Sequence, residues 1–155
     1  MIQAGLILEG GAARGVFTAG AVDYLMEKDI YLSNVVGVSA GCCNGVDYVS
    51  KQIGRSRDCM IHEDKKDGYM GAKVFLKKHC LFDMDKVFDE YPNRLYPFDF
   101  ETYENSETKG EWVVTNCLNG KPEYLDERKD RKKLMEICRA SSSMPVVSPM
   151  VEIDG

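Results

Sequence analysis

The chain has 155 residues, of which 44% are hydrophobic and 29% are charged, and its formal net charge at pH 7 is -5. These proportions are ordinary for a folded domain and exclude collagen-like, fibrous and intrinsically disordered classes. The negative net charge argues against nucleic acid as a partner, because binding to the phosphate backbone depends on a positively charged surface. A transient contact with a membrane surface stays open, because it depends on a local patch and not on the net charge.

No stretch of the sequence has the apolar length that a membrane-spanning helix needs. The first residues, MIQAGLILEGG, lack the basic region and the long apolar core of a secretory signal, so we expect a cytoplasmic protein. Its six cysteines are then expected to be free thiols. Cys59 and His62 have ligand-like spacing, but no second pair accompanies them, and we expect neither a metal nor another cofactor.

The first third of the chain predicts alternating strands and helices. Residues 4–8 and 34–38 are short apolar runs, typical of buried strands, and the first is expected to be buried on both faces. Residues 16–28 predict a helix whose apolar stripe is Phe17, Ala21, Val22, Leu25 and Met26. A second helical stripe follows residue 38 and consists of Cys42, Val46, Val49 and Ile53. The order strand, helix, strand, helix predicts an α/β fold with a parallel sheet and crossover helices.

The middle of the chain predicts shorter elements. Residues 73–79 and 84–91 are expected to form short helices, the second of them capped by Asp83. Residues 111–118 and 121–125 flank an Asn-Gly pair, which is a strong signal for a strand pair joined by a two-residue type I′ turn.

The last part predicts one helix and one extended segment. The helix covers residues 130–140 and is expected to turn Leu134, Ile137 and Cys138 inward. Residues 146–153 predict an extended segment that Pro149 interrupts.

A serine lies between two glycines where the second strand meets its helix. Residues 37–41, GVSAG, match the G-x-S-x-G pattern of a nucleophile elbow. On such a turn Ser39 has a strained backbone that lifts its hydroxyl clear of the sheet, while Gly37 and Gly41 must be small because strand and helix nearly touch. The helix N-terminus favours negative charge that develops nearby. We therefore expect Ser39 to be the catalytic nucleophile, and the open alternative is an ordinary tight turn.

A second loop, which follows the first strand, offers main-chain N–H groups to an anion. It consists of Gly10, Gly11, Ala12, Ala13, Arg14 and Gly15. A dinucleotide would need G-x-G-x-x-G, but Ala12 replaces the middle glycine and no acidic residue ends the second strand. The oxyanion of an acyl-transfer reaction is the better ligand, for which one donor contributes roughly 2.7–4 kcal/mol. Because both loops follow parallel strands, nucleophile and oxyanion donors should be neighbours.

The residues do not identify a histidine base for this serine. His62 lies in a charged stretch, and His79 ends a lysine-rich helix where it suits the helix dipole. We expect neither to be catalytic. A carboxylate that acts directly on the serine is the remaining option.

Together, LEGGAARGVFTAG and VVGVSAGCCNGV resemble the patatin-like phospholipase family, and the resemblance runs over essentially the whole chain. The stretches GRSRD, YMGAK, LFDMDKVFDE and RASSSMPVVSPMVEIDG also resemble bacterial members. The family's oxyanion motif, G-G-G-x-[KR]-G, maps onto residues 10–15 with Ala12 in place of the third glycine, and its nucleophile maps onto Ser39. The resemblance implies a three-layer fold, with a mainly parallel sheet flanked by helices, and hydrolysis of lipid acyl esters by a Ser-Asp dyad without a metal.

The family's dyad aspartate belongs to a D-G-[GA] motif. Asp154 and Gly155 match the first two positions of that motif. In similar proteins, however, a P-x-V-E-I-D-G stretch precedes the D-G-G by a few residues, so Asp154 aligns with the preceding hairpin turn. The expected base is therefore an aspartate beyond residue 155. Residues 1–155 are expected to be the N-terminal portion of a single domain, with its C-terminal part missing. A non-catalytic module that binds a lipid or an anion remains the alternative.

Overall fold

Four strands form one sheet in the order β1-β2-β3-β4, within a computed structural model that describes residues 1–62, 68–70, 74, 76, 80, 82–145 and 147–154. The strands are β1 Ile2–Leu8, β2 Leu32–Val38, β3 Lys109–Thr115 and β4 Pro122–Leu125. The first three run parallel, and β4 returns antiparallel to β3. The predicted α/β fold with a mainly parallel sheet flanked by helices is thereby confirmed.

The helices with described bounds are α1 Gly15–Glu27, α2 Ala40–Val49, α3 Arg55–Met60, α4 Lys86–Leu95, α5 Phe100–Glu104 and α6 Arg131–Ser142. The helices predicted at 16–28 and 130–140 are confirmed. The one predicted at 84–91 is longer and becomes the wide π-type helix α4, which contains Pro92. Most of the helix predicted at 73–79 lies outside the described residues, as does His79.

Aspartates begin two of the predicted helices. The Asp130 carboxylate accepts a hydrogen bond from the N–H of Lys133 at 3.0 Å and so caps α6. The Asp83 carboxylate accepts one from the N–H of Lys86 at 3.2 Å, as the sequence predicted. Each bond satisfies an N–H group that has no partner within its own helix.

The core lies on one face of the sheet, where α2 and α6 pack on the strands and α1 packs on α2. Val35 of β2 and Trp112 of β3 are fully buried there. A Cβ on Gly45 of α2 would lie 2.4 Å from the Trp112 ring, so the helix rests directly on the indole. The indole N–H donates to the Tyr103 hydroxyl at 2.9 Å, which satisfies this buried donor.

The prediction that the first strand is buried on both faces is wrong. In the described part of the chain β1 is an edge strand paired with β2, and Leu8 is its only fully buried residue. Ile7 is 70% exposed, because the described helices cover the opposite face of the sheet. A short apolar run does not by itself distinguish a central strand from an edge strand.

Three residues assigned to the helical stripes face outward. Phe17 is 86% exposed and Ala21 is also exposed, while the buried positions of α1 include Gly15 and Ala19. The buried residues at the start of α1 are small where the helix approaches α2, since a Cβ on Gly15 would lie 2.8 Å from the Ala40 Cβ, whereas Val22 and Met26 are buried farther along, as the stripe predicted. Ile53 lies beyond the end of α2 and is 51% exposed.

The two-residue turn predicted at Asn119-Gly120 is also wrong, although the hairpin itself is present. The N–H of Asn116 donates to the carbonyl of Lys121 at 2.9 Å, which closes a four-residue loop. Gly120 has a φ of 69°, but Asn119 is not at positive φ as a type I′ turn requires. The Asn116 side chain accepts the N–H of Leu118 at 2.9 Å, and this Asx turn favours the longer loop.

The segment predicted to be extended at 146–153 begins with a turn. The N–H groups of Val147 and Ser148 both donate to the carbonyl of Met144 at 3.1 Å. No strand is present among residues 147–154, and residue 146 lies outside the described residues.

Candidate active site

Ser39 connects the end of β2 to the start of α2. Its φ and ψ are 55° and -123°, a conformation that residues with a Cβ rarely adopt and that costs about 1–3 kcal/mol. Its side chain is half-buried. The strained turn predicted from G-x-S-x-G is therefore present.

Gly37 and Gly41 lie where backbone segments approach so closely that a side chain would not fit. A Cβ on Gly37 would lie 2.5 Å from the carbonyl oxygen of Gly41, so the strand and the helix touch at this point. A Cβ on Gly41 would lie 2.1 Å from the carbonyl oxygen of Leu8, at the end of β1. Both contacts are with backbone atoms, which do not move aside easily.

The glycine loop leads from β1 into a short 3-10 helix, Ala12–Arg14, and then into α1. The N–H of Arg14 donates to the carbonyl of Gly11 at 3.0 Å. The N–H groups of Ala12 and Ala13 come first in this turn, so they have no partner within it. Ala12 has a φ of 47°, which a glycine adopts more easily.

The structure brings this loop and Ser39 together. A Cβ on Gly10 would lie 3.1 Å from the Ser39 Cβ and 3.7 Å from its Oγ. A Cβ on Gly15 would lie 2.8 Å from the Cβ of Ala40, the first residue of α2. The predicted nucleophile and the predicted oxyanion loop are thus in contact, at the carboxyl end of β1 and β2.

Two polar residues that the sequence analysis missed support this arrangement. Asn44 of α2 is fully buried and donates from Nδ2 to the carbonyl of Gly15 at 3.1 Å, which ties the helix to the end of the loop. Ser141 of α6 accepts the main-chain N–H of Ser39 at 2.8 Å. Neither residue had a local sequence signal: Asn44 lies off the apolar stripe predicted for α2, and Ser141 is distant from the elbow in sequence.

Two cysteines follow the elbow, of which Cys42 is buried and Cys43 is half-buried. Burial raises the pKa of the Cys42 thiol well above its usual range and raises that of Cys43 as well. A neutral buried thiol is a poor nucleophile. Both residues therefore act as small packing residues beneath the turn.

Asp47 is a buried carboxylate of α2 whose oxygens are already engaged. Oδ1 accepts from the Arg55 guanidinium at 2.7 Å, and Oδ2 accepts from the Ser56 hydroxyl at 2.6 Å. Burial raises the pKa of Asp47, while Arg55 and Ser56 oppose that shift. These contacts fix α3 against α2, and they account for Asp47 without a catalytic role.

His62 and Asp154 both have polar partners other than Ser39. The ring nitrogens of His62 lie 3.3 Å from the Tyr96 hydroxyl and 3.2 Å from the Tyr91 hydroxyl. The Asp154 carboxylate binds Lys133 at 2.6 Å, near the start of α6, whereas the serine at position 141 near its end contacts the elbow. Eight residues of helix separate those two points, or about 12 Å.

Within the described ranges, no group of three histidine, cysteine, aspartate or glutamate residues is arranged to hold a metal ion. The same residues contain no helix with the length and hydropathy to cross a bilayer.

A comparison with known families supplies the remaining evidence. The sequence model of patatin-like phospholipases matches residues 6–155. The chain belongs to the patatin-like phospholipase family. Uncharacterized protein YjjU of Escherichia coli (strain K12) is 27% identical over 148 residues, which cover 90% of this chain and 40% of YjjU. This patatin-like chain therefore spans 40% of the length of that relative.

Proposed function

We propose that the protein is a serine hydrolase that cleaves carboxylic ester bonds of lipids. The observation that carries the proposal is the contact between Gly10 and the strained Ser39, because it brings a hydroxyl and a row of main-chain N–H groups to one place. Family membership supports the substrate class. Residues 1–155 then form the N-terminal portion of one catalytic domain.

In the proposed reaction Ser39 Oγ attacks the ester carbonyl carbon while its proton passes to an aspartate. The carbonyl oxygen becomes an oxyanion, and N–H groups of residues 10–15, among them those of Gly11 and Ala12, stabilise it. Collapse of this intermediate breaks the ester bond, and the leaving alcohol takes the proton. Water then hydrolyses the acyl group from Ser39 and restores the hydroxyl.

The dyad aspartate proposed here is not Asp154, because its carboxylate is paired with Lys133 at the far end of α6. The family's D-G-G motif is expected beyond residue 155, and the greater length of YjjU is in keeping with that expectation.

We also propose that the site works at a lipid surface. Phe17, in the first turn of α1, is 86% exposed, and Leu118, in the loop after β3, is 94% exposed. Both follow carboxyl ends of parallel strands, as Ser39 does. An exposed apolar side chain of this size contributes about 1.5–3 kcal/mol when a lipid layer removes it from water.

Hydrolysis of p-nitrophenyl esters by the full-length protein tests the proposed function. Ser39→Ala is expected to reduce turnover to the uncatalysed background, because the acyl group then has no acceptor. Ser142→Ala is the matched control, since its Oγ contacts the Cys43 sulfur only at 4.0 Å, and it is expected to turn over at the wild-type rate. Equal turnover by wild type and Ser39→Ala would contradict the proposal.

A non-catalytic module that binds a lipid or an anion is the second candidate. The observation behind it is the φ of 47° at Ala12, since an alanine tolerates positive φ less well than the third glycine that it replaces in the family's oxyanion motif. Binding of phospholipid vesicles without any ester turnover by the full-length protein would support this candidate over the enzyme.

A further inference from the structure

We propose that Ser141 is a positioning residue that holds the backbone of Ser39 in its strained conformation; the inference rests on the proposed function of Ser39. The Ser141 Oγ accepts the main-chain N–H of Ser39 at 2.8 Å. Its own hydroxyl donates to the carbonyl of Val113 at 2.7 Å. One side chain thus joins the elbow, the end of β3 and the end of α6, across 102 residues of sequence.

The two hydrogen bonds use the hydroxyl in complementary ways. Because the proton of Ser141 is directed to Val113, a lone pair of the oxygen is directed to the Ser39 N–H. Val113 is the strand partner of Val38, the residue before Ser39. The carbonyl that accepts from Ser141 is therefore next to the elbow in the sheet. The Ser39 N–H is therefore already hydrogen-bonded to a side chain of α6 and is not one of the proposed oxyanion donors.

The next two serines, Ser142 and Ser143, have partners other than the Ser39 N–H. The Ser142 Oγ lies 4.0 Å from the sulfur of Cys43, and the Ser143 Oγ, just beyond the end of α6, donates to the carbonyl of Arg139 in its last turn. The three consecutive serines therefore have different roles, and Ser142 serves as a matched control for Ser141.

Loss of the Ser141 hydroxyl removes the partner of the Ser39 N–H and lets the strained turn relax. A displacement of the nucleophile by about 1 Å can lower a rate by about 100-fold, whereas binding of the remainder of a substrate does not depend on it. Ser141→Ala is therefore expected to lower kcat by about 10- to 100-fold with KM nearly unchanged. Ser141→Thr keeps the hydroxyl and is expected to restore kcat.

The experiment compares wild type, Ser141→Ala, Ser141→Thr and Ser142→Ala in the full-length protein. Steady-state hydrolysis of p-nitrophenyl butyrate gives kcat and KM, and amide hydrogen exchange gives the protection of the Ser39 N–H. A fall of kcat confined to Ser141→Ala, with faster exchange at position 39 and rescue by threonine, supports the inference. A kcat for Ser141→Ala equal to that of wild type overturns it.

The exchange measurement separates this inference from the proposed function. If wild type has no turnover that depends on Ser39, the hydrolase proposal fails. The hydrogen-exchange rate of the Ser39 N–H still tests the role of Ser141 in that case. Faster exchange of the Ser39 N–H in Ser141→Ala, and in no other variant, then supports the positioning role of Ser141. Unchanged exchange in Ser141→Ala overturns that role.

Discussion

Ala12 shows how a single residue affects the geometry of the oxyanion loop. Its φ is 47°, where the Cβ approaches the backbone and costs about 1–2 kcal/mol relative to the right-handed region. Its N–H group is nevertheless the same donor that a glycine would offer. The residue change therefore strains the loop without removing a hydrogen-bond donor.

Ala12→Gly is expected to raise the free energy of unfolding by about 1 kcal/mol, because glycine adopts this φ without strain. Ala13→Gly, one residue later at negative φ, is the matched control and is expected to lower it by about 0.5–1 kcal/mol. Urea denaturation of both variants measures the difference. A loss of stability in Ala12→Gly as large as in Ala13→Gly would contradict the left-handed geometry.

At the scale of secondary-structure elements, α2 determines the position of the site. Its first turn touches the end of β2 through Gly37 and the end of β1 through Gly41, so the two loops are brought together by helix-to-strand contact. Farther along, Gly45 rests on Trp112, and these contacts require small residues on the strand-facing side of the helix.

Gly41→Ala is expected to lower the free energy of unfolding by more than about 2 kcal/mol, because the added methyl would lie 2.1 Å from the carbonyl oxygen of Leu8. Gly20→Ala, in α1, has no atom within 4 Å of the new methyl and is expected to raise it by about 0.5–1 kcal/mol. Thermal and urea unfolding of the two variants provides the comparison. Equal effects in the two helices would show that Gly41 is not in close contact with β1.

The same contacts explain which parts of the site the sequence could predict. Gly37, Ser39 and Gly41 are close in sequence and their sterics are local, so the elbow was predictable from five residues. The pairing of the two loops followed from parallel topology. Ser141 was not predictable, because the bond to Ser39 joins residues 102 positions apart. The Asn-Gly turn was mispredicted because the Asn116 side chain stabilises a longer loop.

At the scale of the whole molecule, the described helices cover one face of the sheet. This explains why β1 was mispredicted: its apolar composition is that of a buried strand, yet its burial depends on elements distant in the chain. The carboxyl edge of the sheet gathers the glycine loop, Ser39 and the exposed apolar residues Phe17 and Leu118. This edge is the surface that we propose meets a lipid layer.

Replacing both Phe17 and Leu118 by serine is expected to lower binding to phosphatidylcholine vesicles by about 100-fold or more, because each apolar side chain contributes about 1.5–3 kcal/mol when it is buried. Turnover of a water-soluble ester is expected to be unchanged. Tyr24→Ser is the control, since Tyr24 is 57% exposed on the same helix but two turns farther from the edge. Vesicle cosedimentation measures the effect, and equal losses in control and test variants would contradict the assignment of this surface.

The most direct test of the central claim is covalent labelling of the full-length protein by a fluorophosphonate, followed by peptide mass spectrometry. The phosphorus reacts with a serine that is activated as a nucleophile, and fluoride leaves. We expect one adduct, on Ser39, which is absent in Ser39→Ala and present in Ser142→Ala. Labelling of another serine, or labelling that persists unchanged in Ser39→Ala, would contradict it.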